Sequence, residues 1–83
     1  MFMLQEIREF ILEEILVVDN KEKFSDNANL FESGLESLSI MRLIFFLEDK
    51  FKVKIPEDRI SIENFSTIND INNLVKSLLA NQQ

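Results

Sequence analysis

Hydrophobic and polar residues alternate along this chain with the period of helices rather than of strands. Leu4, Ile7, Ile11, Ile15 and Val18 fall at helical spacing, and Gln5, Glu6, Arg8, Glu9, Glu13 and Glu14 supply the wet side. This predicts a helix from about Met3 to Val18. The stretch from Asp19 to Glu36 is polar and irregular, with Phe24, Leu30 and Phe31 as its expected anchors into a core. It is long for a connection in a compact domain, which directs attention to function. A second helix is predicted from Ser37 to Phe51, with Ser37 able to cap it. Such a rod would be about 22 Å long. Val53 and Ile55 then lead to Pro56, which bars continuation of that helix. Pro56-Glu57-Asp58 reads as the start of a short helical turn reaching about Ile60, with proline early and acids behind it. The last helix is predicted from Thr67 to about Ala80. Thr67 and Asp70 are spaced as in a capping box with Asp in place of the usual Glu. Ile68, Ile71, Val75, Leu78 and Leu79 form its apolar stripe. The tail beyond Ala80 is expected to fray. The pattern predicts an all-α fold of three main helices plus one short one, a single domain over residues 1–83, with no sheet.

The second helix carries two apolar groups. At about 100° per residue, Ile40, Leu43, Ile44, Leu47 and Phe51 gather on one side, the expected core face. Leu38, Met41 and Phe45 gather on nearly the opposite side, with Arg42, Glu48 and Asp49 nearby. Phe46 lies between the two. A three-helix domain this small can rarely bury both sides of one helix. Either the loop from Asp19 to Glu36 folds over the second stripe, or the stripe is a docking surface of apolar anchors ringed by charge.

Composition narrows the function. The chain has 83 residues and is 46% hydrophobic, enough for a packed core and against wholesale disorder. It has no cysteine, so neither a disulfide nor a zinc–thiolate site can staple it. Its net charge of −6 argues against nucleic-acid binding, which rests on Lys and Arg neutralising phosphates, and suits basic partners. The first residues, MFMLQEIREF, do not read as a secretory signal, and no segment approaches a membrane span of roughly 20 apolar residues. A cytoplasmic monomer is the expectation. With no histidine and no cysteine, Ser-His-Asp and Cys-His constellations are excluded. No catalytic residue and no metal site is assigned. Around Asp19 and Asp26 the ligand spacing, glycine and closing glutamate of a calcium-binding hand do not align. The chain is not expected to be an enzyme.

The only glycine, Gly34, stands shortly before Ser37 at the junction of loop and helix. Two readings fit a lone glycine there. One is ordinary turn chemistry followed by a capping serine. The other is a backbone position that a side chain would obstruct.

The segment Phe31-Glu32-Ser33-Gly34-Leu35-Glu36-Ser37-Leu38 resembles the attachment motif of acyl carrier proteins, which runs Gly, an apolar or small residue, Asp, Ser, Leu at the start of the second helix. Leu47-Glu48-Asp49-Lys50-Phe51 with Val53-Lys54-Ile55-Pro56 resembles that family's helix end and following loop. Glu63-Asn64-Phe65-Ser66-Thr67-Ile68 resembles its lead into the last helix. The resemblance spans nearly the whole chain in order, and it implies a small four-helix carrier bundle. It implies that Ser37 holds a covalent 4′-phosphopantetheine arm donated by coenzyme A, with Gly34, Glu36 and Leu38 around the attachment point. Glu36 stands where aspartate is usual, keeping the charge and adding a methylene.

The residues suit that role. The product is a phosphodiester anion, and a helix N-terminus favours an anion. Thioester chemistry needs a thiol, which a chain without cysteine borrows on a flexible arm. The resemblance also implies partners: a phosphopantetheinyl transferase, and acyl-loading and acyl-processing enzymes that dock on the second helix, here at Leu38, Met41, Arg42, Phe45, Glu48 and Asp49. Ser39, Arg42 and Lys50 stand where the family often has acids, which fits a specialised lipid or secondary-metabolite pathway better than ordinary fatty-acid biosynthesis. Two alternatives stand beside the acyl carrier. One is an aminoacyl or peptidyl carrier with the same fold and serine. The other is a helical adaptor that is never modified.

Overall fold

The computed structural model describes residues 2–81. Among them there is no strand. Three main helices surround one hydrophobic cluster. Helix α1 spans Met3–Phe10 and runs on into a π turn over Ile11–Ile15. Helix α2 spans Ser37–Phe51 and helix α3 spans Ile68–Ala80. Short 3₁₀ turns cover Lys21–Lys23, Glu57–Arg59 and Glu63–Phe65. The short helix expected after Pro56 is therefore a single tight turn, with a second one following it.

The first helix ends three residues earlier than its periodicity suggests. The Leu16 N–H donates to the Ile11 carbonyl at 2.8 Å, a bond five residues back that defines the π turn. The turn inserts one residue into the helical register. Leu12 and Leu16 thereby join Met3, Ile7 and Ile11 in the core, while Ile15 and Val18 stay half-exposed. Leu16 leaves the helix in extended conformation.

The long connection does not lie over α2. Arg8 Nη1 pairs with Asp26 Oδ1 at 2.8 Å, and Arg8 Nη2 also donates to the Lys21 carbonyl. The Asn69 N–H donates to the Asp26 carbonyl at 3.0 Å, and the Leu30 N–H to the Ser66 carbonyl at 2.7 Å. The loop is thus bound to α1 and to the start of α3. Leu30 and Leu35 insert into the core, while Phe24 and Phe31 are only half-buried against it.

Helix α2 buries Leu43, Ile44 and Leu47, with Ile40 and Phe51 packed at the margin, as the core-face pattern predicts. Phe46 stacks on Phe10, ring centroids 4.0 Å apart and planes 8° apart, and meets Phe51 edge-on. The helix stops at Lys52, which takes a left-handed conformation. Val53 and Ile55 then turn inward. Thr67 caps α3 by accepting from the Asp70 N–H at 3.0 Å. That helix buries Ile68, Ile71, Leu74, Val75 and Leu78, whereas Leu79, expected in the stripe, is exposed. Phe65, just ahead of it, is fully buried. Asn81 closes the last turn on the Leu78 carbonyl. The rest of the expected frayed tail, Gln82 and Gln83, lies outside the described residues.

Candidate functional site

The site is built at the N-terminus of α2. Gly34 has a φ of 118°, a conformation that residues with a Cβ rarely adopt, and this turns the chain between the buried Leu30 and Leu35. The Leu35 N–H returns to the Leu30 carbonyl at 2.9 Å, closing the turn from inside. Leu35 points into the core, so Glu36 and Ser37 are left outside. The glycine answers a backbone requirement rather than crowding: a Cβ there would meet Leu16 Cδ2 at an ordinary 3.6 Å.

Ser37 is not the cap of α2. Glu36 holds the N-cap position in extended conformation, and its side chain makes no capping bond. Ser37 is the first helical residue, and it is exposed. The capping role expected of Ser37 is corrected here, because the extended-to-helical switch falls one residue earlier. Two consequences follow for chemistry. The hydroxyl is not engaged in holding the helix start. The N–H groups of the first turn, unpaired by helix geometry and uncapped by any side chain, face outward at the positive end of the helix. No acid lies within the first turn of α2. A phosphodiester on Ser37 therefore fits the residues present.

The outer stripe is open. Leu38, Met41 and Phe45 are 81%, 48% and 62% exposed. Their expected neighbours divide. Asp49 is exposed. Arg42 donates from Nη1 to the Glu14 carbonyl at 3.0 Å, so it joins the end of the π turn to α2. Glu48 accepts from the Ile55 N–H through Oε2 at 2.9 Å and is half-buried. Its carboxylate satisfies the loop that follows α2, which leaves it less free for a partner than the sequence suggested. Sequence reasoning missed Val17, which is 99% exposed just beyond Leu16, the residue against Gly34. Its signal was a helix boundary three residues off.

An accessible primary hydroxyl at an open helix N-terminus beside an exposed apolar face suits a carrier domain, a substrate that other enzymes modify and read. The chain belongs to the family described as the phosphopantetheine attachment site, whose model matches residues 5–75. Members hold a covalently attached 4′-phosphopantetheine, and this chain is a carrier rather than an enzyme. It is 29% identical over 72 residues to an acyl carrier protein of Wolinella succinogenes, covering 86% of this chain and 90% of that one. It is 28% identical over 58 residues to an aminoacyl carrier protein of Agrobacterium fabrum, 70% of each chain. Its structure is similar, with a TM-score of 0.78 and 25% identity, to the carrier protein from Agrobacterium tumefaciens crystallised with an engineered Bradyrhizobium japonicum glycine:[carrier protein] ligase and ATP. That likeness covers 90% of this chain and 97% of the other. Family membership disposes of the unmodified adaptor.

Proposed function

We propose that this chain carries acyl intermediates as thioesters on a 4′-phosphopantetheine arm attached to Ser37. The observation that carries this reading is the exposed Ser37 at the first helical position of α2, directly after the Gly34 turn. In the attachment step the Ser37 Oγ displaces the nucleotide half of coenzyme A at its pyrophosphate. The hydroxyl proton leaves, and the new phosphodiester rests against the α2 N-terminus. A phosphopantetheinyl transferase supplies the base for this step, since the chain has no histidine. Partner enzymes dock on Leu38, Met41 and Phe45, with Arg42 and Asp49 at the rim, which puts the arm at the mouth of the partner's active site.

A second reading has its own support. A carrier of similar structure was crystallised with a glycine ligase, and an aminoacyl carrier is as similar in sequence as the acyl carriers. The arm and the serine would be the same, and the cargo an aminoacyl group. Intact mass after incubation with coenzyme A and a promiscuous transferase tests the arm, with Ser37→Ala as control. Modification of wild type alone supports the site. Cargo released from the arm of protein purified from cells then separates acyl from aminoacyl carriage.

A further inference from the structure

The end of the first helix sets two apolar registers against each other. The helical period runs through Ile7, Ile11, Ile15 and Val18, yet the chain buries Leu16 and leaves Ile15 and Val18 half-exposed. The π turn makes the difference. Five residues of a π turn and four of an α-helix each return the chain to about the same face. Leu16, five residues after Ile11, therefore fills the place that Ile15 would fill in an unbroken α-helix. In that second register Val18 follows Ile15 onto the same face. Each register buries an apolar stripe.

The Glu14 carbonyl stands between the two. In an α-helix it would accept from the Val18 N–H, four residues on. In the structure Leu16 leaves in extended conformation, and the Glu14 carbonyl accepts from Arg42 Nη1 at 3.0 Å. Arg42 and the Val18 N–H thus compete for one acceptor. The Arg42 and Glu14 side chains are more than half exposed, so water can replace this contact at modest cost. The segment also touches the arm site. Leu16 Cδ2 lies 3.6 Å from where a Cβ on Gly34 would stand, and Gly34 makes the turn that precedes Ser37.

We propose that the π turn is a two-register switch, latched by Arg42, that changes the support beneath the Gly34 turn. The structure shows the latched register. When Arg42 lets go, α1 continues through Val18 and Ile15 takes the core place of Leu16. A stiff β-branched side chain then replaces leucine against Gly34. Packed segments with two discrete arrangements of similar energy are a usual basis of switching, and π turns inside helices are frequent at functional sites. Arg42 lies one turn from Leu38 on the outer side of α2, so a carboxylate on a docked enzyme is the group that would draw it from Glu14. That use by an enzyme rests on the docking reading above; the switch itself does not.

The test uses the whole chain, without arm or partner, labelled for NMR relaxation dispersion, which reads exchange on the μs–ms scale. The expected result is exchange centred on residues 12–18 and Gly34, with a minor state in which Val17 and Val18 have helical Cα shifts. Arg42→Ala should raise the population of that state about threefold, as loss of a solvent-screened contact would. Deleting Glu13, an exposed residue of the π turn, restores the α-helical period with Leu16 kept in its place, and should abolish the exchange. Ile15→Gln should suppress it as well, because a polar side chain cannot take the core place, and this variant serves if the deletion unfolds the domain. Absence of exchange in both wild type and Arg42→Ala would overturn the proposal. So would an extended minor state, or exchange that survives both the deletion and Ile15→Gln. Arm attachment at Ser37, followed by intact mass on the same wild-type sample, judges the carrier reading separately. A chain that exchanges as described and takes no arm keeps the switch and loses the carrier.

Discussion

The Arg42 guanidinium donates to the main-chain carbonyl of Glu14 at 3.0 Å, and its Nη2 stands 3.9 Å from the Glu14 carboxylate. The carbonyl is among those that a helix leaves unpaired at its C-terminal end. Arg42 thus satisfies the end of the π turn while standing on the second turn of α2, near the arm site. Its positive charge has a structural use. Both side chains are more than half exposed, so solvent screens the pair. Arg42→Ala should cost about 0.5–1 kcal/mol by denaturant unfolding. It should also raise hydrogen exchange at Leu16, whose N–H closes the π turn. Unaltered exchange there would show that the turn does not need Arg42.

Ser37→Ala should abolish arm attachment and leave the melting temperature almost unchanged. Ser37 occupies the first helical position and is not the cap, so the loss of about 1 kcal/mol usual for a removed N-cap is not expected. Mass spectrometry and a melting curve check the two halves. A clear loss of stability would mean that the hydroxyl supports the helix start after all.

Glu36→Asp tests that helix start from the other side. Asp is among the preferred N-cap residues because its short side chain reaches the N–H groups of the first turn, whereas Glu36 makes no capping bond. The substitution should stabilise the domain by about 0.5–1 kcal/mol. It also restores the acid usual before the serine in acyl carrier proteins, and the transferase should modify it at least as fast as wild type. A slower reaction would show that the added methylene of Glu36 suits this chain's own transferase.

Much of this architecture is legible in the sequence because burial follows a simple period. Helix α2 begins and ends where its apolar run predicts, and Thr67 announces α3 through its cap. Periodicity fails where one residue is inserted. The π turn shifts the register of the first helix, so Leu12 and Leu16 are buried while Ile15 and Val18 are not fully so. The inward turn of Leu35 and the capping of Ile55 by Glu48 depend on contacts between elements, which local spacing does not encode. The attachment point is legible because it is local: one glycine, one acid and one serine in adjoining positions. Phe46 became placeable only with Phe10 in view, since their stacking joins two helices.

Gly34→Ala should destabilise the domain. The φ of 118° strains any residue with a Cβ, although the space itself is open, with Leu16 Cδ2 at 3.6 Å. The strain is about 1–3 kcal/mol, and the lower entropy of the unfolded alanine chain offsets part of it. A net loss of about 1–2 kcal/mol is expected, which for a domain of this size is a fall in melting temperature of roughly 4–16 °C. Arm attachment should slow as well, because a relaxed turn moves Ser37 relative to the helix end. Normal stability would mean that the loop adopts a negative φ without penalty.

The outer stripe gives the sharpest contrast, because two residues two positions apart on α2 should behave as opposites. Phe45 is 62% exposed, and Leu43 is fully buried. Truncating a buried leucine to alanine costs about 2–5 kcal/mol, from lost transfer energy and the cavity left behind. Phe45→Ala leaves no cavity, since most of the ring already lies in water, and should cost less than about 1 kcal/mol. Phe45→Gln should be equally mild and should improve solubility by removing an apolar patch. If enzymes grip this stripe, Phe45→Gln and Met41→Gln should both raise KM for arm attachment and leave kcat nearly unchanged, because the groups that react at Ser37 are untouched. A melting loss of several kcal/mol for Phe45→Ala would mean that the ring is covered in solution. An unchanged KM with a stable fold would instead move the docking surface away from this face of α2.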